Sequence, residues 1–214
     1  MDTVTGGPAA PRPNPFAGRV IRNGDGPASI ANIANVITVV RILLTPVFFW
    51  MLLADDGEMG ALRWIAAATF VIVIATDALD GYLARSRRLV SNVGIILDPI
   101  ADKALTGAAL IGLSILGELW WWVTIVILVR ELGITIFRFS VLRNRVIPAS
   151  RGGKLKTVLQ AVAISLFLAP FYDLLGEAQW VLWVNWAAMA AALTATVLSG
   201  LDYIWAAIKA YRLG

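Results

Sequence analysis

Six apolar runs dominate the chain: Val36–Ala54, Ala61–Ala84, Val93–Leu116, Leu119–Leu142, Leu155–Tyr172 and Trp180–Ile208. A helix needs about 20 residues, at 1.5 Å rise each, to cross the hydrocarbon core of a bilayer. Each run reaches that length or nearly so. The fifth is short and carries Pro170 near its end, and the sixth is long enough to tilt or to project beyond the bilayer. Strands of a membrane barrel would instead alternate over about 10 residues, and these runs do not alternate. The expected fold is therefore all-α: a polytopic membrane protein with six transmembrane helices in one domain over residues 31–214. Composition agrees. Hydrophobic residues make up 59% of the 214-residue chain and charged residues 15%, against about 45–50% and 25% in ordinary soluble domains.

Residues 1–30 are rich in Pro, Gly and small side chains and lack any apolar periodicity. They read as a flexible cytoplasmic tail rather than a secretory signal, whose apolar stretch would stand close to the start. Ser29–Asn35 has the character of a short interfacial segment leading into the first span.

The chain has no Cys and no His. Disulfides, thiolate metal sites and imidazole bases are thereby excluded, and acid–base or metal chemistry falls to carboxylates, Lys, Tyr and hydroxyls. A net charge of +4 is too small to argue for nucleic acid. The basic residues sit instead at the ends of the apolar runs. Arg85, Arg87 and Arg88 follow the second run, and Arg143, Arg145, Arg151, Lys154 and Lys156 lie around the fourth connection. The two tails add Arg12, Arg19, Arg22, Lys209 and Arg212. The alternate connections carry Asp55, Asp56, Glu58, Glu118, Asp173 and Glu177, with Arg63 as their one basic residue. By the positive-inside rule both termini and the second and fourth connections face the cytoplasm, in a cell membrane. Trp120–Trp122, Trp180, Trp183 and Trp186 then fit an aromatic belt at the far interface.

Four acidic residues break the apolar pattern. Asp77, Asp80, Gly81 and Ala84 fall at i, i+3, i+4 and i+7 on one face of the second run. Gly94, Asp98 and Asp102 do the same on the third run. A charge at the bilayer centre costs roughly 3 kcal/mol or more, so such residues mark function by default. Consecutive antiparallel helices can bring the two pairs together near the cytoplasmic side. Packed carboxylates stay ionised only if cations neutralise them. With no softer ligand in the chain, two hard ions, Mg²⁺ or Mn²⁺, suit the site and suit phosphoryl chemistry. Gly81 and Ala84 leave room there for a nucleotide. Two other readings stay open: acids that pair with Arg85, Arg41 or Lys103 to fix the bundle, and carboxylates that line the path of a divalent-cation transporter.

The stretch DALDGYLAR at 77–85, followed by GIILDPIAD at 94–102, resembles the signature of the CDP-alcohol phosphatidyltransferases, D-x2-D-G-x2-A-R then G-x3-D-x3-D. Every defining position is filled, and the six-run layout extends the likeness over about residues 30–210. The resemblance implies transfer of a phosphatidyl group from CDP-diacylglycerol, or a related CDP-alcohol, to a second alcohol with release of CMP. It implies that Asp77, Asp80 and Asp98 ligate the metals and that Asp102 completes the site and acts as general base. It implies that Gly81, Arg85 and Ser91 contact the CDP group, joined by the Asn35–Thr38 segment. It also implies a homodimer.

The acceptor is read from cations. Arg130 and Arg138 share a face of the fourth run, which suggests a phosphate-bearing partner. The stretches NIANVITVVR with Pro46, LDPIADK, Arg130-Glu131 with Arg138, and GKLKT at 153–157 resemble the branch of the family that uses glycerol 3-phosphate. Arg130, Arg138, Lys154 and Lys156 are the expected contacts to its phosphate. Inositol phosphate and phosphatidylglycerol are the rival acceptors, and an Arg130–Glu131 pair is the structural alternative.

Overall fold

A computed structural model describes residues 33–87, 92–141 and 152–212, and every described element is a helix. In chain order these are α1 (Ile33–Ala54), α2 (Ala61–Arg87), α3 (Asn92–Ile115), α4 (Trp121–Val141), α5 (Gly152–Leu168), α6 (Phe171–Leu174) and α7 (Gln179–Arg212). The all-α expectation holds among the described residues. Ile33–Asn35, expected in an interfacial segment, form the first turn of α1. The tail over 1–30 lies outside the described residues.

The helices follow the apolar runs, with informative differences at the ends. α5 stops at Leu168, four residues before the apolar run does, because Pro170 cannot supply the amide that a continuing helix needs. The one-turn helix α6 follows. α7 runs unbroken for 34 residues. Two helices contain segments long and apolar enough to cross a membrane by length and composition, Ile37–Ala54 and Gln179–Ala206.

α1 packs against both α2 and α3, α5 against α2 and α7, and α4 against α3 and α7. Phe48 and Leu52 of α1, Phe70 of α2, Leu105, Leu110 and Leu113 of α3, Ile127 of α4, Ile164 and Leu168 of α5 and Met189 of α7 form one buried core. The outward faces are also apolar: Leu43, Trp50, Ile72, Val129, Ile136, Trp183 and Trp205 are all exposed. Buried polar side chains, including Thr38, Arg63, Gln160, Thr196 and Ser199, sit inside. Apolar outside with polar groups within is the distribution a hydrocarbon solvent selects. Of the expected aromatic belt, Trp120–Trp122, Trp180 and Trp183 are exposed. Trp186 instead turns inward, its ring 4.3 Å from Trp120 and 5.4 Å from Phe167.

One end of the bundle is tied by Arg63, the basic residue that stood alone among acidic connections. Its side chain is wholly buried. The guanidinium donates to the carbonyls of Phe167 (3.0 Å) and Leu168 (2.9 Å) at the end of α5, and pairs with Glu118 between α3 and α4. Asp55 completes the knot. Its carboxylate accepts the backbone N–H groups of Met59, Gly60 and Arg63 at 3.0–3.2 Å, so it caps α2 from outside the helix. Burial pushes the Glu118 carboxyl above its ordinary range, and Arg63 only partly reverses this. Removing one half of a buried pair strands the other charge. Glu118→Ala should therefore cost about 3 kcal/mol, read as a lowered thermal midpoint in detergent. The double variant Arg63→Met/Glu118→Leu should recover part of that loss.

Candidate active site

Asp102 stands one helical turn after Asp98 on α3, so both occupy one face of that helix. Its half-buried side chain lines a cavity of about 290 Å³. Lys103 from α3, Glu131 from α4 and Lys156 and Gln160 from α5 line the same cavity, and Ile74, Ile127 and Leu128 give it apolar wall. The signature aspartate therefore shares a pocket with cations drawn from two helices.

Glu131 organises the charged wall. Its Oε1 accepts from Arg130 Nη1 at 2.9 Å and from Lys156 Nζ, and its Oε2 accepts from Lys103 Nζ at 3.3 Å. Arg130 turns its other terminal nitrogen to α7, where Nη2 donates to Ser199 Oγ at 2.7 Å. Ser199 Oγ donates onward to the carbonyl of Thr196 at 3.0 Å, and Thr196 Oγ1 accepts from Gln160 Nε2 at 2.8 Å. Buried polar groups of this kind are tolerated only when partnered. The network therefore fixes α3, α4, α5 and α7 against one another around the cavity.

The expected site residues fall into three groups. Asp102, Arg130 and Lys156 are described, and the last two meet at Glu131; for Arg130 this is the internal pair weighed as the structural alternative. Thr38 is described as a buried residue of α1. Asn35 on α1, Asp77, Asp80, Gly81, Ala84 and Arg85 on α2, Asp98 on α3, Arg138 on α4 and Lys154 on α5 have helical backbone, and their side chains lie outside the described residues. Ser91 lies outside them altogether. α2 ends at Arg87 and α3 begins at Asn92, so a four-residue connection separates the helices that carry the two aspartate pairs.

Sequence reasoning offered Lys103 and Glu131 only as pairing partners and assigned nothing to Gln160 or Ser199. The signals were present. Lys103 directly follows the last signature aspartate, and Gln160 is a long polar side chain in the middle of the fifth apolar run. Nothing in the spacing, however, says that α5 brings Lys156 and Gln160 to the same place as α3.

The sequence profile of the CDP-alcohol phosphatidyltransferase family matches residues 31–198, from α1 through most of α7. The chain belongs to this family. A probable phosphatidylglycerophosphate synthase of Mycobacterium tuberculosis is 49% identical over 184 residues, covering 86% of this chain and 85% of that protein. The CDP-diacylglycerol–glycerol-3-phosphate 3-phosphatidyltransferase of Bacillus subtilis is 36% identical over 201 residues, covering 83% and 97%. The enzyme of that name from Rickettsia felis is 33% identical over 186 residues, covering 83% and 96%. As a CDP-alcohol phosphatidyltransferase the protein is a transferase of phospholipid biosynthesis, which decides against the cation-transporter reading.

In this phosphatidyltransferase the seam between α4 and α7 depends on a missing side chain. A Cβ on Gly200 would stand 3.2 Å from Arg130 Cγ and 3.4 Å from its Nε. Gly200→Val should push the guanidinium off Ser199. We expect a thermal midpoint lowered by the equivalent of about 1–3 kcal/mol and reduced transferase activity, with helical content by circular dichroism unchanged.

Proposed function

We propose that the protein transfers the phosphatidyl group of CDP-diacylglycerol to glycerol 3-phosphate, giving phosphatidylglycerol phosphate and CMP. The observation that carries this reading is the cavity beside Asp102, walled by Lys103, Lys156 and Glu131. Its volume suits a small phosphorylated alcohol better than a second lipid, and its cations suit a phosphate. The names of the M. tuberculosis and B. subtilis relatives point to the same substrates.

The donor set fits hard divalent ions, because the signature supplies carboxylates alone and the chain has neither His nor Cys. Asp77, Asp80, Asp98 and Asp102 would hold two Mg²⁺ or Mn²⁺. Such ions, when bound, offset charge on the pyrophosphate and on the departing CMP. The chain's own groups do the rest. Arg85, Gly81, Ala84, Ser91, Asn35 and Thr38 receive the CDP portion, with the acyl chains left in the bilayer. Lys156, with Arg130, Arg138 and Lys154, holds the phosphate of the acceptor. A carboxylate oxygen of Asp102 takes the proton from the acceptor hydroxyl. The acceptor's hydroxyl oxygen, so deprotonated, then bonds to the phosphorus carrying the diacylglycerol, and the bond from this phosphorus to the CMP oxygen breaks. Catalysis is mainly positioning and electrostatics.

The reading includes a six-span topology in the cytoplasmic membrane with both termini and the site inside, supported by the basic second and fourth connections. It also includes a homodimer.

Two measurements test it. An acceptor panel of glycerol 3-phosphate, inositol phosphate, inositol, serine and phosphatidylglycerol, with CDP-diacylglycerol and Mg²⁺ or Mn²⁺, should yield a lipid product and CMP with glycerol 3-phosphate. Product from inositol phosphate alone would transfer the site to that acceptor. Asp102→Asn should lower turnover by about 10²-fold or more with the thermal midpoint preserved; full activity in that variant would remove Asp102 as the base.

A further inference from the structure

Glu131 has no part in the chemistry above, yet both lysines of the cavity wall, and Arg130 behind them, converge on it. Its carboxylate takes Lys103 from α3, Arg130 from α4 and Lys156 from α5. We propose that Glu131 is a positioning residue for the acceptor's phosphate: it holds Lys103 and Lys156 at the cavity wall next to Asp102. This rests on the proposed use of a phosphorylated acceptor.

Three observations carry the proposal. The first is charge. Three cations drawn together repel one another and would splay apart in a partly buried site. The Glu131 carboxylate keeps the two lysines of the cavity wall together, where an arriving phosphate monoester, with a charge of about −1.5 to −2 at neutral pH, meets both. The second is donor capacity. An ammonium has three N–H donors, and the contact with Glu131 occupies one on each lysine, so lysines held in place can also donate to phosphate oxygens. The third is position. Lys103 is the neighbour of Asp102, and Lys103, Lys156, Glu131 and Asp102 all line one cavity. A phosphate held by these lysines leaves the hydroxyl end of a three-carbon acceptor within the same cavity as the Asp102 carboxylate. Lys103 thereby becomes a further direct contact to the acceptor phosphate.

The test is steady-state kinetics on the full chain in detergent micelles, varying glycerol 3-phosphate at saturating CDP-diacylglycerol and then the reverse. Glu131→Gln keeps the shape and removes the charge. Its KM for glycerol 3-phosphate should rise about tenfold, more than kcat falls, while KM for CDP-diacylglycerol stays within about twofold. Glu131→Asp should restore part of the acceptor KM. An acceptor KM that is unchanged or lowered in Glu131→Gln overturns the proposal, as does a fall in kcat with no change in either KM. If Glu131→Gln does not fold, Lys103→Met, at the more exposed of the two lysines, carries the test: a raised acceptor KM supports the proposal and an unchanged one overturns it. Wild-type protein that turns over CDP-diacylglycerol with no phosphorylated acceptor would defeat the underlying reading, an outcome separate from the response of the variants.

Discussion

In the membrane topology proposed above, burying leucine would gain little, because the surroundings of the bundle would be as apolar as its core. What holds these helices in one arrangement is the pairing of charges inside it. Arg63 gathers the end of α5 and the connection between α3 and α4, and its own backbone is gathered by Asp55. Glu131 gathers α3, α4 and α5, and Arg130 carries the tie on to α7. Each knot has a central ion whose partners come from distant parts of the chain. The apolar core fills the space between them, and the knots fix register and orientation.

The two knots differ in what they leave over. At Arg63 the guanidinium is fully buried among two carbonyls and a carboxylate. At Glu131 two lysines border a pocket that also contains Asp102. One knot ties helix ends together; the other also turns two ammonium groups toward a space that an anion could enter. The same physical device therefore appears once as scaffold and once as binding wall.

Much of this was legible in the sequence. The apolar runs matched the helices to within a few residues, although the fifth run extended through Pro170 and α5 stops before it. The spacing of Asp98 and Asp102 put both on one face because helical geometry is local. The family followed from the two aspartate motifs. What could not be read was any property that depends on which helices touch. Arg63 stands in the sequence as a lone cation among acidic connections and is fully buried in the fold. Trp186 looked like a belt residue and packs on Phe167. Lys156 was expected to face a phosphate, and its partner Glu131 on α4 was not foreseen. In each case the residue type was informative and its partner lay far away in the chain, where periodicity carries no information.

The shortness of α5 has a further consequence. Its 17 residues extend only about 25 Å, while α7, with 34, is about twice as long. On the six-span topology proposed above, the bilayer would thin toward α5, which contributes Lys156 and Gln160 to the cavity beside Asp102. Such a dimple would lower the lipid headgroup region toward that cavity. Hydrophobic mismatch at one short helix would then link the thickness of the host bilayer to the approach of a lipid donor.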